Sequence, residues 1–356
     1  MPLSKEQVVA ALRTVIDPEL YKDIVTLNMV KDVQVDGDDV GVTVELTTPA
    51  CPLKERIEAD VTNALKKIGA ANVKINLTAQ TRGPAQPRKD VLPQVKNVIA
   101  VGAGKGGVGK STIALNLAVG LARSGAQVGL MDGDIYGPSM PTMLGIRGVP
   151  PRVRGAKMLP HHVHGIHAVT IGSLVEQDKP LIWRGPMAHG AFRQLLLDNT
   201  EWPDLDYLIV DLPPGTGDVP LTLCQLLPLT GAVVVATPQQ VALDDAIRAA
   251  RMFQQLGAPI LGIVENMSYM PMPDGSITDI FGRGGAQRAA KELGIPFLGE
   301  LPMFTELRVN SDQGTPHANF ERNPALKESL EHIVGALAGE VSKRNMGEQG
   351  PTLTIS

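Results

Sequence analysis

The sequence predicts an α/β fold: a doubly wound, mostly parallel sheet preceded by a small α+β domain of order αββαβ. Three observations carry this. The chain has 356 residues, more than one ordinary domain requires. From Val95 onward, short apolar, β-branched runs alternate with longer helical segments, the pattern of parallel strands joined by crossover helices. Between the first such run and the first such helix lies a glycine-rich octapeptide, Gly104-Lys105-Gly106-Gly107-Val108-Gly109-Lys110-Ser111, which fits G-x-x-x-x-G-K-[ST].

The small domain is drawn at 1–80. Ser4 caps a helix over 5–15 that puts Val8, Val9, Leu12 and Val15 on one face, and Asp17-Pro18-Glu19 stops it. Strands at 33–35 and 40–46 flank the turn Asp36-Gly37-Asp38-Asp39; a helix over 52–68 and a strand over 73–77 follow. Residues 81–94 hold Pro84, Pro87 and Pro93 without hydrophobic periodicity and read as a semi-extended linker. The main domain is drawn at 95–343, with strands at 98–101, 128–131, 207–210, 232–236 and 260–264. Helices are expected near 111–124, 187–198, 220–227, 243–256 and 284–293. Leu326, Leu330, Ile333, Val334, Leu337 and Val341 mark one face of a last helix. Its polar face mixes Lys327 with Glu328 and Glu331 and carries no bulky aromatics, which favours docking on the domain over lying on a membrane. Residues 344–356 read as a loose tail.

Composition narrows the class. Apolar residues make up 43%, enough for a sizeable core, and the net charge of −4 gives no basic footprint for nucleic acid. No run of 18 apolar residues exists, so no membrane span is expected. Met1-Pro2-Leu3-Ser4-Lys5-Glu6-Gln7 lacks a signal-peptide core, and two cysteines exclude a disulfide framework; a cytoplasmic location is the expectation.

The octapeptide carries the chemistry. Glycines let a backbone approach oxyanions and take positive φ, and the N–H groups at the following helix start, with the helix dipole, attract an anion. Gly104, Gly106, Gly107, Val108 and Gly109 would cradle nucleotide phosphates together with Thr112 at the helix start, Lys110 would reach the β/γ-phosphates, and Ser111 would hold Mg²⁺. In a doubly wound sheet, ligands bind beyond the carboxyl ends of the strands. Leu208-Ile209-Val210-Asp211 is an apolar strand ending in a carboxylate, which places Asp211 in the Mg²⁺ shell. Leu212-Pro213-Pro214-Gly215-Thr216-Gly217-Asp218 then reads as a switch in which Gly215 donates its N–H to the γ-phosphate.

Three further features stay open. Pro52 suits a first helical position, which puts Cys51 at the N-cap; it is either a reactive or metal-ligating thiolate or a small residue filling a turn. Cys224 lies on an apolar helix and reads as a core cysteine. Residues 160–167 hold four of the seven histidines, His161, His162, His164 and His167: a metal site on alternate strand positions, or a solvated hairpin beside the apolar Ala168–Ile171 run.

Lys105 inside the loop makes it K-G-G-V-G-K-S, which resembles the deviant P-loop ATPases: nitrogenase iron protein, MinD, ParA, the arsenite ATPase and the Mrp-type iron–sulfur carriers. In that group the extra lysine contacts phosphate, commonly across a dimer interface, and the resemblance gives Lys105 this role. It makes Asp132-Gly133-Asp134 the first switch, with Asp132 orienting or deprotonating the attacking water and Asp134 supporting it; Asn266 is similar to the adenine-contacting asparagine. Met131-Asp132-Gly133-Asp134-Ile135-Tyr136-Gly137-Pro138-Ser139, Trp183-Arg184-Gly185-Pro186-Met187, Asp211 to Asp218, Glu265-Asn266-Met267-Ser268-Tyr269 and Asp279-Ile280-Phe281-Gly282 all resemble the Mrp-type carriers. Asp17-Pro18-Glu19-Leu20, Ile24 to Val30 and Thr47-Thr48-Pro49-Ala50-Cys51-Pro52 resemble the small SufT-type domain, which has a functional cysteine where Cys51 stands. The resemblance covers nearly the whole chain. It implies a homodimer that binds and slowly hydrolyses ATP and passes iron–sulfur clusters to apoprotein clients together with assembly factors, with no nucleic acid or membrane partner.

The chain departs from that pattern at one place. The family carries C-x-x-C shortly after Asn-Met-Ser-Tyr, where this chain has Met270-Pro271-Met272-Pro273-Asp274-Gly275-Ser276. Common clusters want four thiolates, so a cluster here would use Cys51, with small thiols or a client filling the other positions. Two other readings are a nucleotide-gated interaction module without cluster binding and a positioning ATPase like MinD or ParA.

Overall fold

The computed structural model describes residues 3–18, 20–83, 91–134, 137–173, 190 and 193–347. The helix expected at 187–198, the linker drawn at 81–94, Glu19, Ile135-Tyr136, Trp183 to Met187 and the tail beyond 347 fall wholly or partly outside these residues. The chain divides into two compact units, one running to Arg82 with the residues from Ser342 on, the other Gly83–Val341.

The first unit follows the order αββαβ. Helix α1 (Lys5–Leu12) opens with a capping box, Ser4 Oγ accepting from the Gln7 N–H and the Gln7 side chain accepting from the Ser4 N–H. It ends three residues earlier than expected. The Thr14 hydroxyl donates to the Ala11 carbonyl at 2.7 Å, and Val15 still reaches the core from the turn that follows. Strands β1 (Val30–Asp36) and β2 (Asp39–Leu46) pair antiparallel through the acidic turn, with Gly37 at φ 63°. Helix α2 (Lys54–Lys67) then returns the chain so that β3 (Asn72–Ala79) lies parallel to β2. Val40, Val42, Val44 and Leu46 alternate inward along β2 and meet Leu12, Ile57, Val61 and Leu65 from the two helices in one core.

The second unit is built on an eight-stranded sheet. In chain order its elements are β4 (Val95–Gly102), α3 (Lys110–Arg123), β5 (Val128–Asp132), α4 (Met140–Met143), the hairpin β6 (Arg152–Arg154) and β7 (Lys157–Leu159), then β8 (His161–Val163), β9 (Ile166–Thr170) and β10 (Leu205–Asp211). There follow α5 (Asp218–Leu226), β11 (Leu229–Ala236), α6 (Gln240–Gln255), β12 (Ile260–Asn266), the short hairpin β13 (Met270–Pro271) and β14 (Ile277–Thr278), α7 (Gly285–Leu293), β15 (Phe297–Leu301), α8 (Thr305–Asp312), a 3₁₀ helix at Pro316–Phe320 and α9 (Pro324–Gly347). The strand order is β15-β12-β11-β4-β10-β5-β9-β8, and every pairing is parallel except that of the edge strand β8 with β9. Every residue of β5 and of β11 is buried, as in a sheet covered on both faces by helices.

All five expected strands are present, and three more, β8, β9 and β15, join them in the sheet. Ala168–Thr170 of the apolar run lie in β9, a full member of the main sheet, and β8 pairs on its outer edge to form the histidine hairpin. Strand β15 was not expected, because Gly299 and Glu300 interrupt its apolar run. The apolar face of α9 from Leu326 to Val341 is buried, as docking requires, and this helix runs to Gly347, past the boundary drawn at 343. Among the described residues no helix is long and apolar enough to cross a membrane.

Candidate functional site

The central strand β4 runs into the glycine-rich loop, which turns into α3. Three of the loop's four glycines answer a local demand. A Cβ on Gly104 would lie 2.0 Å from the Asp245 carbonyl oxygen of α6, so only glycine lets the loop pass that helix. Gly107 and Gly109 have φ of 81° and 80°, and a Cβ on Gly109 would also sit 2.1 Å from Asn266 Nδ2. Gly109 is the N-cap of α3 and offers no side-chain cap, so the helix's first N–H groups face the loop cradle.

Three carboxylates from neighbouring strand ends converge below the loop. Lys110, 6% exposed, places Nζ 2.6 Å from Asp211 Oδ1 at the end of β10, 3.8 Å from Asp134 Oδ2 and 3.3 Å from Ser111 Oγ. Asp132 ends β5 in register with Asp211. Its Oδ2 accepts from Thr170 Oγ1 at 2.6 Å and its Oδ1 from the Asp134 N–H at 3.1 Å. Burial pushes the Asp132 carboxyl up from its ordinary 3.8 to about 7; the neighbouring Asp211 charge adds to this, while Thr170, Asp134 and Lys110 oppose it. Burial also raises Asp211, against the pull of Lys110 and Ser111. Asp211 Oδ2 is buried without a hydrogen-bond partner. An oxygen-lined point beside the Ser111 hydroxyl suits a hard divalent cation, so these two residues fit Mg²⁺.

A cavity of about 730 Å³ opens from the loop. Lys105, Gly106, Gly107, Lys110, Ser111, Thr112 and Asp134 line it together with Met143, Asn266, Met267, Pro302, Phe304, Leu307 and Arg308. One part offers donors and charge, the other apolar and aromatic surface, as a nucleotide needs.

Two residues expected to touch the nucleotide hold partners within the chain. The Gly215 N–H donates to the Ala103 carbonyl at 2.9 Å, a bond that a phosphate would have to replace. Asn266 Nδ2 donates to the Val108 carbonyl at 2.8 Å, so this amide holds the loop.

Cys51 is displaced from its expected place. Helix α2 starts at Lys54 with Leu53 as N-cap, so Cys51 stands two residues before the cap, its N–H bonded to the Thr48 carbonyl at 3.3 Å. The argument from the helix dipole therefore does not apply to it. It is half-buried against the small core. Cys224 is a core residue, as expected, and burial pushes its thiol up to about 12. The histidines form a hairpin with His162 opposite His167. Among the described residues no group of three or more His, Cys, Asp or Glu is arranged to hold a metal ion.

Sequence reasoning passed over Thr170, Glu265 and the wall formed by Pro302, Phe304, Leu307 and Arg308. Thr170 could have been found as the polar end of an apolar run, the position where the other strands carry their site residues. Glu265, fully buried beside Asn266, binds the N–H groups of Gly284 and Ala286, each at 2.7 Å, and fixes the start of α7.

Comparison with known proteins bears on the same two units. Residues 94–338 match the family model described as NUBPL iron-transfer P-loop NTPase, and residues 5–77 match that described as iron–sulfur cluster assembly protein. The chain is 49% identical to an iron–sulfur cluster carrier protein of Synechocystis sp. over 96% of its own length and 98% of the relative's. A protein of the same description from Deinococcus radiodurans is 48% identical, covering 97% and 98%. Among solved structures, a nucleotide-binding protein in complex with ADP from Archaeoglobus fulgidus is 37% identical with a TM-score of 0.58, covering 68% of this chain and 95% of that one. From the loop at Gly104 to the strand-end carboxylates, the chain belongs to the NUBPL-type iron-transfer P-loop NTPases.

Proposed function

We propose that this chain is an ATP-binding and ATP-hydrolysing carrier of iron–sulfur clusters, working in the cytoplasm as a homodimer whose switch is the nucleotide. The observation that carries the nucleotide half is the convergence of Lys110, Ser111, Asp132, Asp134 and Asp211 beneath a left-handed glycine loop. Lys110 would exchange Asp211 for the β/γ-phosphates. Asp211 and Ser111 would hold Mg²⁺, which when bound neutralises phosphate charge. Asp132, titrating at about 7, takes the proton of an attacking water at neutral pH, while Thr170 fixes one of its oxygens. Lys105, half-exposed at the cavity rim, is the residue for contact with a partner subunit's nucleotide. The loop carrying Gly215 would exchange its bond to Ala103 for one to the γ-phosphate and return after hydrolysis.

The cargo half rests on the family and on the cysteines. With the Cys224 thiol pushed up to about 12, Cys51 is the thiolate left for an incoming cluster, one per subunit. Such a cluster would be completed by small thiols or by the apoprotein client, and so held loosely enough to pass on.

Anaerobic reconstitution with iron, sulfide and glutathione tests the reading, followed by visible absorption, metal counting and transfer to an apo-ferredoxin. The expected result is a labile cluster on the parent and retained cluster loading in Lys110→Ala, which loses ATP binding. If the parent takes up no iron or sulfide, with or without thiols, the carrier reading fails. The nucleotide-gated interaction module then stands, a reading favoured by the absence of cysteine from the 270–280 segment.

A further inference from the structure

Behind the nucleotide cavity three buried asparagines join its walls. Asn116 is 1% exposed, Asn310 3% and Asn319 0%. Asn116 Nδ2 donates to the Thr112 carbonyl in the first turn of α3 at 2.8 Å. Asn116 Oδ1 accepts from Asn319 Nδ2 at 2.8 Å, and Asn319 Oδ1 accepts from Asn310 Nδ2 at 2.9 Å. The backbone carbonyl of Asn310 accepts from the Thr315 N–H at 2.9 Å. The donors all run one way, from α8 through the 3₁₀ helix to α3: Asn310 donates to Asn319, Asn319 to Asn116, and Asn116 to the Thr112 carbonyl.

None of the three lines the cavity, yet the helices they join do. Helix α3 contributes Lys110, Ser111 and Thr112; α8 contributes Leu307, Arg308 and Ser311. Backbone contact ties α8 on its other side as well: a Cβ on Gly314 would lie 2.4 Å from Gly145 Cα, just beyond α4. Gly120, one turn along α3 from Asn116, lets Phe320 of the 3₁₀ helix approach closely; a Cβ there would meet its ring at 3.2 Å. Three amides in an apolar interior are a poor way to gain stability, since leucines would fill similar space without desolvation. What a hydrogen-bonded chain of amides gives is a unique relative placement of the elements it joins.

We propose that Asn116, Asn319 and Asn310 are positioning residues for the nucleotide. They lock α8 to the phosphate-loop helix, so that the wall with Leu307 and Arg308 stands at the distance a bound nucleoside needs from the phosphate end. The proposal rests on the nucleotide-site reading above. It predicts that the chain of amides governs affinity for a nucleoside diphosphate and leaves affinity for bare polyphosphate alone, because the loop holds the latter without α8.

Calorimetric titration of the intact chain with ADP and, separately, with inorganic tripolyphosphate tests this. Asn319→Leu leaves Asn116 Oδ1 and Asn310 Nδ2 unpaired; Asn319→Asp keeps the acceptor for Asn310 and loses the donor to Asn116. Both should weaken ADP binding about tenfold, with tripolyphosphate affinity unchanged. Should the single variants not fold, the triple Asn116→Leu/Asn310→Leu/Asn319→Leu leaves no orphaned amide and should show the same selective loss. Lys110→Ala, as reference, should lose both ligands. Parent-like ADP affinity in the variants, or equal weakening of ADP and tripolyphosphate, overturns the positioning role. A parent that binds neither ligand overturns instead the nucleotide-site reading, and the proposal with it.

Discussion

Asp132→Asn should stabilise the nucleotide-binding unit above pH 7 while stopping its turnover. Asp132 is 1% exposed and faces the carboxylate of Asp211. Its carboxyl is raised from 3.8 to about 7. A folded-state value above the unfolded one means that the native protein keeps a proton the unfolded chain has released. Stability present below about pH 4 is then lost as pH rises to about 7. At 1.36 kcal/mol per pH unit this amounts to about 4 kcal/mol by pH 8. The amide removes the buried charge and still accepts from the Thr170 hydroxyl. It also turns an NH₂ toward the Asp134 N–H, which costs about 1–3 kcal/mol. The variant should therefore exceed the parent by about 1–3 kcal/mol at pH 8 and roughly match it near pH 5. Thermal unfolding without nucleotide reads this as a gain of about 2–4 °C per kcal/mol at pH 8 that vanishes at pH 5. ADP should still bind, while ATP hydrolysis falls about 10²–10⁴-fold. A difference between parent and variant that is the same at both pH values would refute the titration, and turnover like the parent's would refute the role as base.

Two further outcomes follow from the placement of other residues. Lys105→Ala should leave a single subunit able to bind nucleotide but weaken ATP-dependent dimerisation; light scattering with a non-hydrolysable ATP analogue that finds an unchanged dimer counts against a contact across subunits. Cys51→Ser should eliminate reconstituted cluster and leave ATP hydrolysis at the parent rate, because the thiol lies outside the nucleotide-binding unit; full uptake of iron and sulfide by the variant removes Cys51 as the ligand.

What the sequence made legible is what short-range chemistry decides. The loop could be read because its glycines and Lys110 act within one octapeptide, and strand–turn–helix context is local too. The helix cap at Ser4 and the acidic turn at Gly37 are equally local, and both are present. Where an expectation failed, a competing local term had been misjudged. Pro52 was taken as the first residue of a helix that starts at Lys54, so Cys51 lost the dipole argued for it. Gly299 and Glu300 hid β15 because a strand at the edge of the sheet need not be continuously apolar.

The electrostatics of the site belong to a different class of information. Asp132 could be named as a candidate from its place after a strand, but its proton affinity is set by groups far away in sequence. Thr170 is 38 residues on, and Lys110 reaches Asp211 across 101 residues. These groups meet only because β4, β10, β5 and β9 lie side by side, with Asp211, Asp132 and Thr170 in register at their carboxyl ends. A motif states which residue types are available; the order of strands decides which of them share a desolvated space, and therefore which of them can hold a proton at neutral pH. The same holds for the asparagines behind the cavity. Asn116 alone is an unremarkable polar residue in a helix, and only the 3₁₀ helix some 200 residues later turns it into one link of a chain. Polar residues buried at the back of a site are thus the place where a reading from sequence is expected to be silent and where the fold has most to add.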